Sequence, residues 1–330
     1  MDDLIRVFAD ALRGALGPDA AAFAIAAVGL NLHFGFTGLL NFGHVAFMAV
    51  GAYTMAIVVD AGLPLWVGVP AGMLAAVVLG LLLGGTTLRL RADYLAITTI
   101  AVGEIIRIMI RSRALEDVTG GVFGIQGVAA DFFALNPFSP GNYGIWRVTF
   151  SERQLWVMVV GWTIALLCTL LVWALMRAPW GRVIKAIRED EDAARALGKN
   201  AFLLKVQSLC IGGAIGALAG MLLALERSAV DPNQYLPQQT FFVWTVMILG
   251  GAATIKGAMA GAVMFWFIIL FAEGLLREGI SQGIIPDWLL TSQQMFAVRF
   301  VIVGAMLIGL MIWRPQGVFG RREEVMIGAR

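Results

Sequence analysis

Between two uninterrupted apolar runs lies one long charged stretch, Arg177 to Lys205, and that alternation leaves few folds open. The stretch carries Arg177, Arg182, Lys185, Arg188, Arg195, Lys199 and Lys205, together with four consecutive acids from Glu189 to Asp192. A run of about 20 apolar residues suffices to cross a hydrocarbon core, so the flanking segments 156–176 and 206–225 read as spanning helices. Short basic loops between spans lie on the cytoplasmic side. The first of these spans therefore runs inward and the second outward. Within the loop, Asp190 or Asp192 can cap a short helix, Ala193, Ala194 and Leu197 put an apolar stripe on it, and Gly198 stands where a left-handed C-cap would stop it.

Composition agrees with a membrane setting. Hydrophobic residues make up 59% of the chain and charged residues 14%, against about 25% charged in ordinary soluble domains. No basic stripe interleaved with aromatics appears, which excludes the usual footprint of nucleic-acid binding. Cys168 and Cys210 lie inside apolar runs, where a thiol acts as a small hydrophobe, and their spacing suggests neither a disulfide framework nor a metal site. The first residues are acidic and lack a long apolar core, unlike a cleavable signal. Leu4, Phe8 and Leu12 recur every four residues among charges, so residues 1–16 are expected to form an interfacial amphipathic helix.

The segment 31–53, NLHFGFTGLLNFGHVAFMAVGAY, is the most unusual one at membrane depth. It holds both histidines, His33 and His44, two asparagines, Asn31 and Asn41, and glycines at 35, 38, 43 and 51. Backbone polar groups cannot stay bare in lipid, so a segment broken in this way must face protein or water. The glycines suit either close helix packing or an unwound turn; His44 suits either an interhelical bridge or a pathway lining. A second interrupted element, GG-x4-KG-x3-GA, runs from Gly250 to Lys256 and beyond, and paired interruptions point to a binding site between two halves. On the span 93–110, Tyr94, Thr98, Ala101 and Glu104 share a face. A carboxylate at mid-membrane costs about 2.5–3.5 kcal/mol on insertion scales, so Glu104 needs a partner or a cavity. Arg107 is the nearest partner; a part in substrate or proton passage is the alternative. Arg299, inside the span 295–312, is expected to snorkel toward the outer interface.

Four motifs together carry a family resemblance: the GH-containing broken helix around Gly43-His44, DYLAITT at Asp93 followed by TGGVFGI at Thr119, the loop AIREDEDAARALGKN, and RPQGVFG at Arg314. In this order they resemble the LivM-type permeases of branched-chain amino acid ABC transporters, over about Leu30 to Gly320. Lys256 and Thr254 depart from that pattern, which usually has an aromatic and a Ser at the second glycine-rich turn.

The resemblance implies an all-α polytopic transmembrane helix bundle of about eight spans, up to ten, with broken Gly-rich helices, as one permease domain across 1–330. Residues 113–153 would form an external loop, 177–205 the cytoplasmic coupling loop, and 314–330 a cytoplasmic tail. It further implies an inner-membrane subunit of an ATP-driven importer, paired with a second permease of the LivH type, two cytosolic ATPases and an external solute-binding protein. ATP and Mg would be bound by those ATPases. This chain has no phosphate-cradling GxxxxGK[ST] of its own, and no enzymatic activity or cofactor is expected of it. Coupling is expected to involve Arg188, Glu189, Asp190, Ala193, Ala194, Leu197 and Gly198, and the pathway Asn41, Gly43, His44, Thr98, Thr99 and Glu104. Related permeases carry urea or short amides. A stand-alone proton-coupled transporter or channel is the rival from another class, favoured by Glu104 and the histidines and disfavoured by the docking helix.

Overall fold

The computed structural model describes residues 2–88, 92–145, 147–282, 294–314 and 316–320. Residues 89–91 and 283–293, Pro315 and the last ten residues lie outside the described residues. The chain is a helix bundle: α1 (Asp2–Leu16), α2 (Pro18–Leu30), α3 (His44–Asp60), α4 (Leu65–Thr87), α5 (Ala92–Arg111), α6 (Glu116–Thr119), α7 (Ala130–Ala134), α8 (Glu152–Arg177), α9 (Pro179–Glu189), α10 (Glu191–Ala196), α11 (Ala201–Arg227), α12 (Pro237–Gly250), α13 (Gly257–Ser281) and α14 (Met295–Trp313). Five described helices, with α2 counted together with the turn that extends it to Phe36, are long and apolar enough to cross a membrane. These and shorter apolar helices such as α3 make this a multi-pass membrane protein.

α2 and α11 form the axis, buried along nearly their whole length. They run antiparallel: Asp19 meets Arg227 at one end, and Ser208 donates to the Leu32 carbonyl near the other. α3, α4, α8 and α13 pack around this pair. Small residues permit the close approach. A Cβ on Gly51 would strike Ala217 of α11, and one on Gly220 would strike the Met48 carbonyl of α3.

Local signals set the helix ends. α8 begins four residues before its apolar run, because Ser151 and Gln154 form a reciprocal capping box. Asn200 caps α11 through its bond from the Leu203 amide. The segment between α5 and α8 is an ordered set of short elements: α6 and α7, a hairpin of β2 (Asn142–Ile145) and β3 (Val148–Ser151), and β1 (Ile125–Gln126), which pairs antiparallel with β4 (Ala229–Val230). Gly124 there takes φ +67° and sits so close to the Val230 backbone that only glycine fits.

Two expectations need refinement. Helix α1 lies at the end opposite the charged loop, where Arg13 donates to Gln154 and the Leu16 carbonyl accepts from Trp162. It packs Val7 against Gly274 of α13 and leaves Leu4 exposed. Arg299 does not snorkel freely. It pairs with Glu273 of α13, which also holds Arg277, because satisfying a cation across two neighbouring helices avoids leaving it uncompensated in an apolar setting. Arg299→Ala is expected to destabilise the protein by about 1.5–3 kcal/mol, the range for a bond to a charged group. Glu273→Gln combined with Arg299→Gln should cost less. Melting temperatures in detergent check both.

Candidate functional site: two interrupted helices joined near one end

α2 does not stop at Leu30 but widens into a π-helical turn, Asn31–Phe36, before the chain leaves helical geometry over residues 37–43 and re-enters it at His44. Wide turns of this kind leave backbone groups without their usual partners. Side chains supply the substitutes. Thr37 Oγ1 donates to the Leu32 carbonyl at 2.8 Å and lies 2.6 Å from Ser208 Oγ of α11. Asn41 Oδ1 accepts from the Gly43 amide at 2.9 Å, and Thr99 Oγ1 accepts from the Phe42 amide at 3.0 Å. Thr240 of α12 accepts from the Val45 amide at 3.1 Å, which satisfies a donor in the first turn of α3. Trp244 donates to the Asn41 carbonyl and stacks on Phe42 at 4.6 Å, with Phe34 against its other neighbourhood at the same distance.

The histidines are part of the same arrangement. His33 Nε2 donates to the Leu209 carbonyl at 3.1 Å, so its Nδ1 is the acceptor for Asn41 Nδ2, also at 3.1 Å. The two bonds define one neutral tautomer. His44 packs edge-to-face on His33 with ring centroids 5.4 Å apart. The rings are seated by glycines: Gly212 underlies His33, while Gly29 and Gly216 underlie His44. A Cβ on Gly216 would lie 2.8 Å from the His44 ring nitrogen. Gly216→Val is therefore expected to destabilise the fold by about 1–3 kcal/mol through overpacking. The yield of monodisperse protein in size-exclusion chromatography checks it. Among the described residues no group of three or more His, Cys, Asp or Glu side chains gathers as a metal site would require.

The second interruption separates α12 from α13. Gly251 takes φ +113° and Ala253 φ +59°. The chain's last described segment lies on it, with Val318 and Phe319 amides donating to the Leu249 and Gly250 carbonyls at 2.9 and 3.1 Å. Asn31 joins the two interruptions. Its Nδ2 donates to the Thr254 carbonyl and its Oδ1 accepts from the Ala253 amide, both at 2.8 Å. One side chain thus completes the backbone hydrogen bonding of a turn more than 200 residues away.

The six residues expected on a pathway divide. Asn41, Gly43, His44 and Thr99 come together, with the Gly43 backbone directly against the Thr99 carbonyl. Asn41 and His44 are enclosed by protein in this conformation. Thr98 and Glu104 stand on the outer side of α5, and Arg107 holds Glu104 through its Nε at 2.9 Å and through its Nη2. Asn31, Thr37, Ser208, Thr240 and Trp244 were missing from the expected set. Their signal was a polar or amphipathic residue isolated in an apolar run.

The charged loop folds as two helices. α9 buries Gly181, Ile184 and Ile187 against the bundle. Asp190 caps α10 by accepting from the Ala193 amide at 2.9 Å. Gly198, at φ +75°, closes it: the Gly198 amide donates to the Arg195 carbonyl and the Lys199 amide to the Ala194 carbonyl, the pair of bonds of a Schellman cap. The apolar stripe splits. Ala194 packs inward with Ile187 and Ala201, whereas Leu197 is 80% exposed and Ala193 also faces out. Glu191 ties α10 to α11 by pairing with Lys205, and it also holds Arg195. Gly38, in the first interruption, lies against Arg188 of α9. The loop and the broken helix are therefore in direct contact.

A multi-pass bundle with two interrupted helices joined to each other, and with the surface helix α9 of the charged loop resting against one of them, is the build expected of a transport permease. The chain belongs to the family described as branched-chain amino acid transport system / permease component, whose model matches residues 18–311. It is 31% identical over 308 residues to the high-affinity branched-chain amino acid transport system permease protein LivM of Escherichia coli K12, covering 90% of this chain and 67% of that one. It is 25% identical to a probable LivM of Methanocaldococcus jannaschii, over 92% of each chain. A LivH permease protein of Escherichia coli K12 is 24% identical, again over 92% of each. No solved structure matches the chain significantly.

Proposed function

We propose that this chain is the membrane-spanning subunit of an ATP-driven importer of branched-chain amino acids in a bacterial cytoplasmic membrane. The observation that carries this reading is the similarity to both LivM and LivH proteins along nearly the whole chain, joined to a capped helix that presents Leu197 at the bundle's basic end. A LivH-like chain would be the second permease. The end that carries α9 and α10 faces the cytosol, where two ATPase subunits dock. An external solute-binding protein delivers cargo at the opposite end, where residues 113–151 fold.

Mechanically, Arg188, Glu189, Asp190, Ala193, Leu197 and Gly198 form or shape the docking surface, and Ala194 anchors it from beneath. Movement of α9 and α10 on ATP binding reaches the first interruption through Gly38 and through the Thr37–Ser208 contact, and reaches the second through Asn31. The pathway residues Asn41, Gly43, His44 and Thr99 then move with the first interruption, and Thr98 and Glu104 on α5 extend toward a partner chain. Such a bundle has two arrangements that ATP and loaded binding protein bias differently. Purification from native membranes in mild detergent, with mass identification of every co-eluting chain, tests the assembly. ATP-binding subunits and a second permease in fixed ratio support it; elution of this chain alone contradicts it.

A further inference from the structure

A cavity of about 360 Å³ opens at the end of the bundle that carries α9 and α10, within the size range of small-molecule sites. Its walls are apolar: Phe36, Met176, Ile255 and Phe319. Its polar edge is Thr254 and two cations, Lys185 and Lys256, and among the described residues no carboxylate lines it. Lys185 Nζ lies 5.9 Å from the centre of the Phe36 ring. Among the described residues neither ammonium is paired with an acid. Other cations of the same loop are paired, Lys205 and Arg195 with Glu191. Two unpaired like charges over an apolar floor are complementary to an anion that carries an apolar body.

The location gives such a ligand consequences. Phe36 ends the π-helical turn, Ile255 and Lys256 belong to the second interruption, Lys185 is on α9, and Phe319 is on the segment that lies across α12. A molecule filling the cavity touches all four elements at once.

We propose that this cavity binds a small, net-negative carboxylate with a branched apolar side chain, a 2-oxo acid in preference to the zwitterionic amino acid, and that its occupancy slows transport. The preference follows from charge. An amino acid brings an ammonium into a site that already holds two, with no acid among the described residues to receive it. Slowing follows because a ligand that needs four elements in their present register stabilises that register over any other. The inference rests on the importer reading, which places the cavity on the cytosolic side. There, deamination of imported cargo by a transaminase-type reaction would supply the ligand.

The test uses the complete complex reconstituted in liposomes, with leucine and binding protein outside and ATP inside. The lumen also holds 4-methyl-2-oxopentanoate, leucine or inorganic phosphate at equal concentration. The expected result is initial uptake slowed severalfold by the oxo acid and less by leucine or phosphate. Each rate is compared with that of the same variant with no added lumenal ligand. The K185Q/K256Q double variant should lose the slowing, and K185R/K256R should keep it. Equal slowing by phosphate would mark a generic anion effect and overturn the proposal, as would equal slowing of the glutamine variant or none in the wild type. Absence of uptake from wild-type vesicles without added lumenal ligand counts against the importer reading instead. In that event, binding of radiolabelled oxo acid to the detergent-purified chain, about tenfold weaker in K185Q/K256Q, still decides the cavity.

Discussion

Asn31→Leu is expected to destabilise the protein by about 2–4 kcal/mol and to abolish coupled transport. The substitution keeps the heavy-atom branching of the side chain but strips both partners from the second interruption: the Ala253 amide and the Thr254 carbonyl lose their bonds to this side chain. Each buried polar group left unpaired costs about 1–3 kcal/mol, and the cost is greater where no water can substitute. Thr37→Val should be milder, because Ser208 keeps its own bond to the Leu32 carbonyl. A thermal-shift series in detergent ranks the two. If Asn31→Leu melts with the wild type, the joint between the two interruptions contributes nothing, and the mechanical route through it fails.

Leu197→Asp is expected to leave folding untouched and to weaken docking of the ATPase subunits. The side chain is 80% exposed and has no packing to lose. Burying a leucine against a partner is worth about 1.5–3 kcal/mol, so the substitution should weaken docking by roughly ten- to a hundredfold. Ala194→Asp is the contrasting variant. Ala194 is 4% exposed, against Ile187 and Ala201, so a carboxylate there disturbs the loop itself and should lower stability as well as docking. Pull-down yield and melting temperature, measured side by side, separate the two effects. Full ATPase recovery with Leu197→Asp would remove this helix from the docking surface.

Hydropathy alone carried the helix bundle and the positions of the five described helices long and apolar enough to cross a membrane, because a 20-residue apolar run has almost one solution in a bilayer. The two interruptions were legible for the same reason: Asn, His and repeated glycines at membrane depth demand local partners. Which partners they find was not legible. Asn31 meets Ala253 and Thr254 across 222 and 223 residues of sequence, and no periodicity reports a contact of that separation. Arg299 reads as a lone cation on its own helix and finds Glu273 only when α13 and α14 are adjacent. On α10, Asp190 and Gly198 were readable as caps because capping is local, whereas the inward turn of Ala194 depends on Ile187 of a different helix. Gly212 and Gly216 of α11 are small residues in an apolar helix, which alone reads as close packing. That they seat two imidazoles depends on register with α2 and α3, which the sequence of α11 does not contain.

The central claim is that this chain carries solute only when ATP hydrolysis moves its charged loop. Leucine uptake into liposomes that contain the purified complex, with ATP or a non-hydrolysable analogue enclosed and binding protein outside, tests it most directly. The account predicts accumulation against a gradient with ATP, none with the analogue, and none when the complex carries Leu197→Asp. Equal uptake with and without hydrolysable ATP, or uptake by this chain alone, would contradict it.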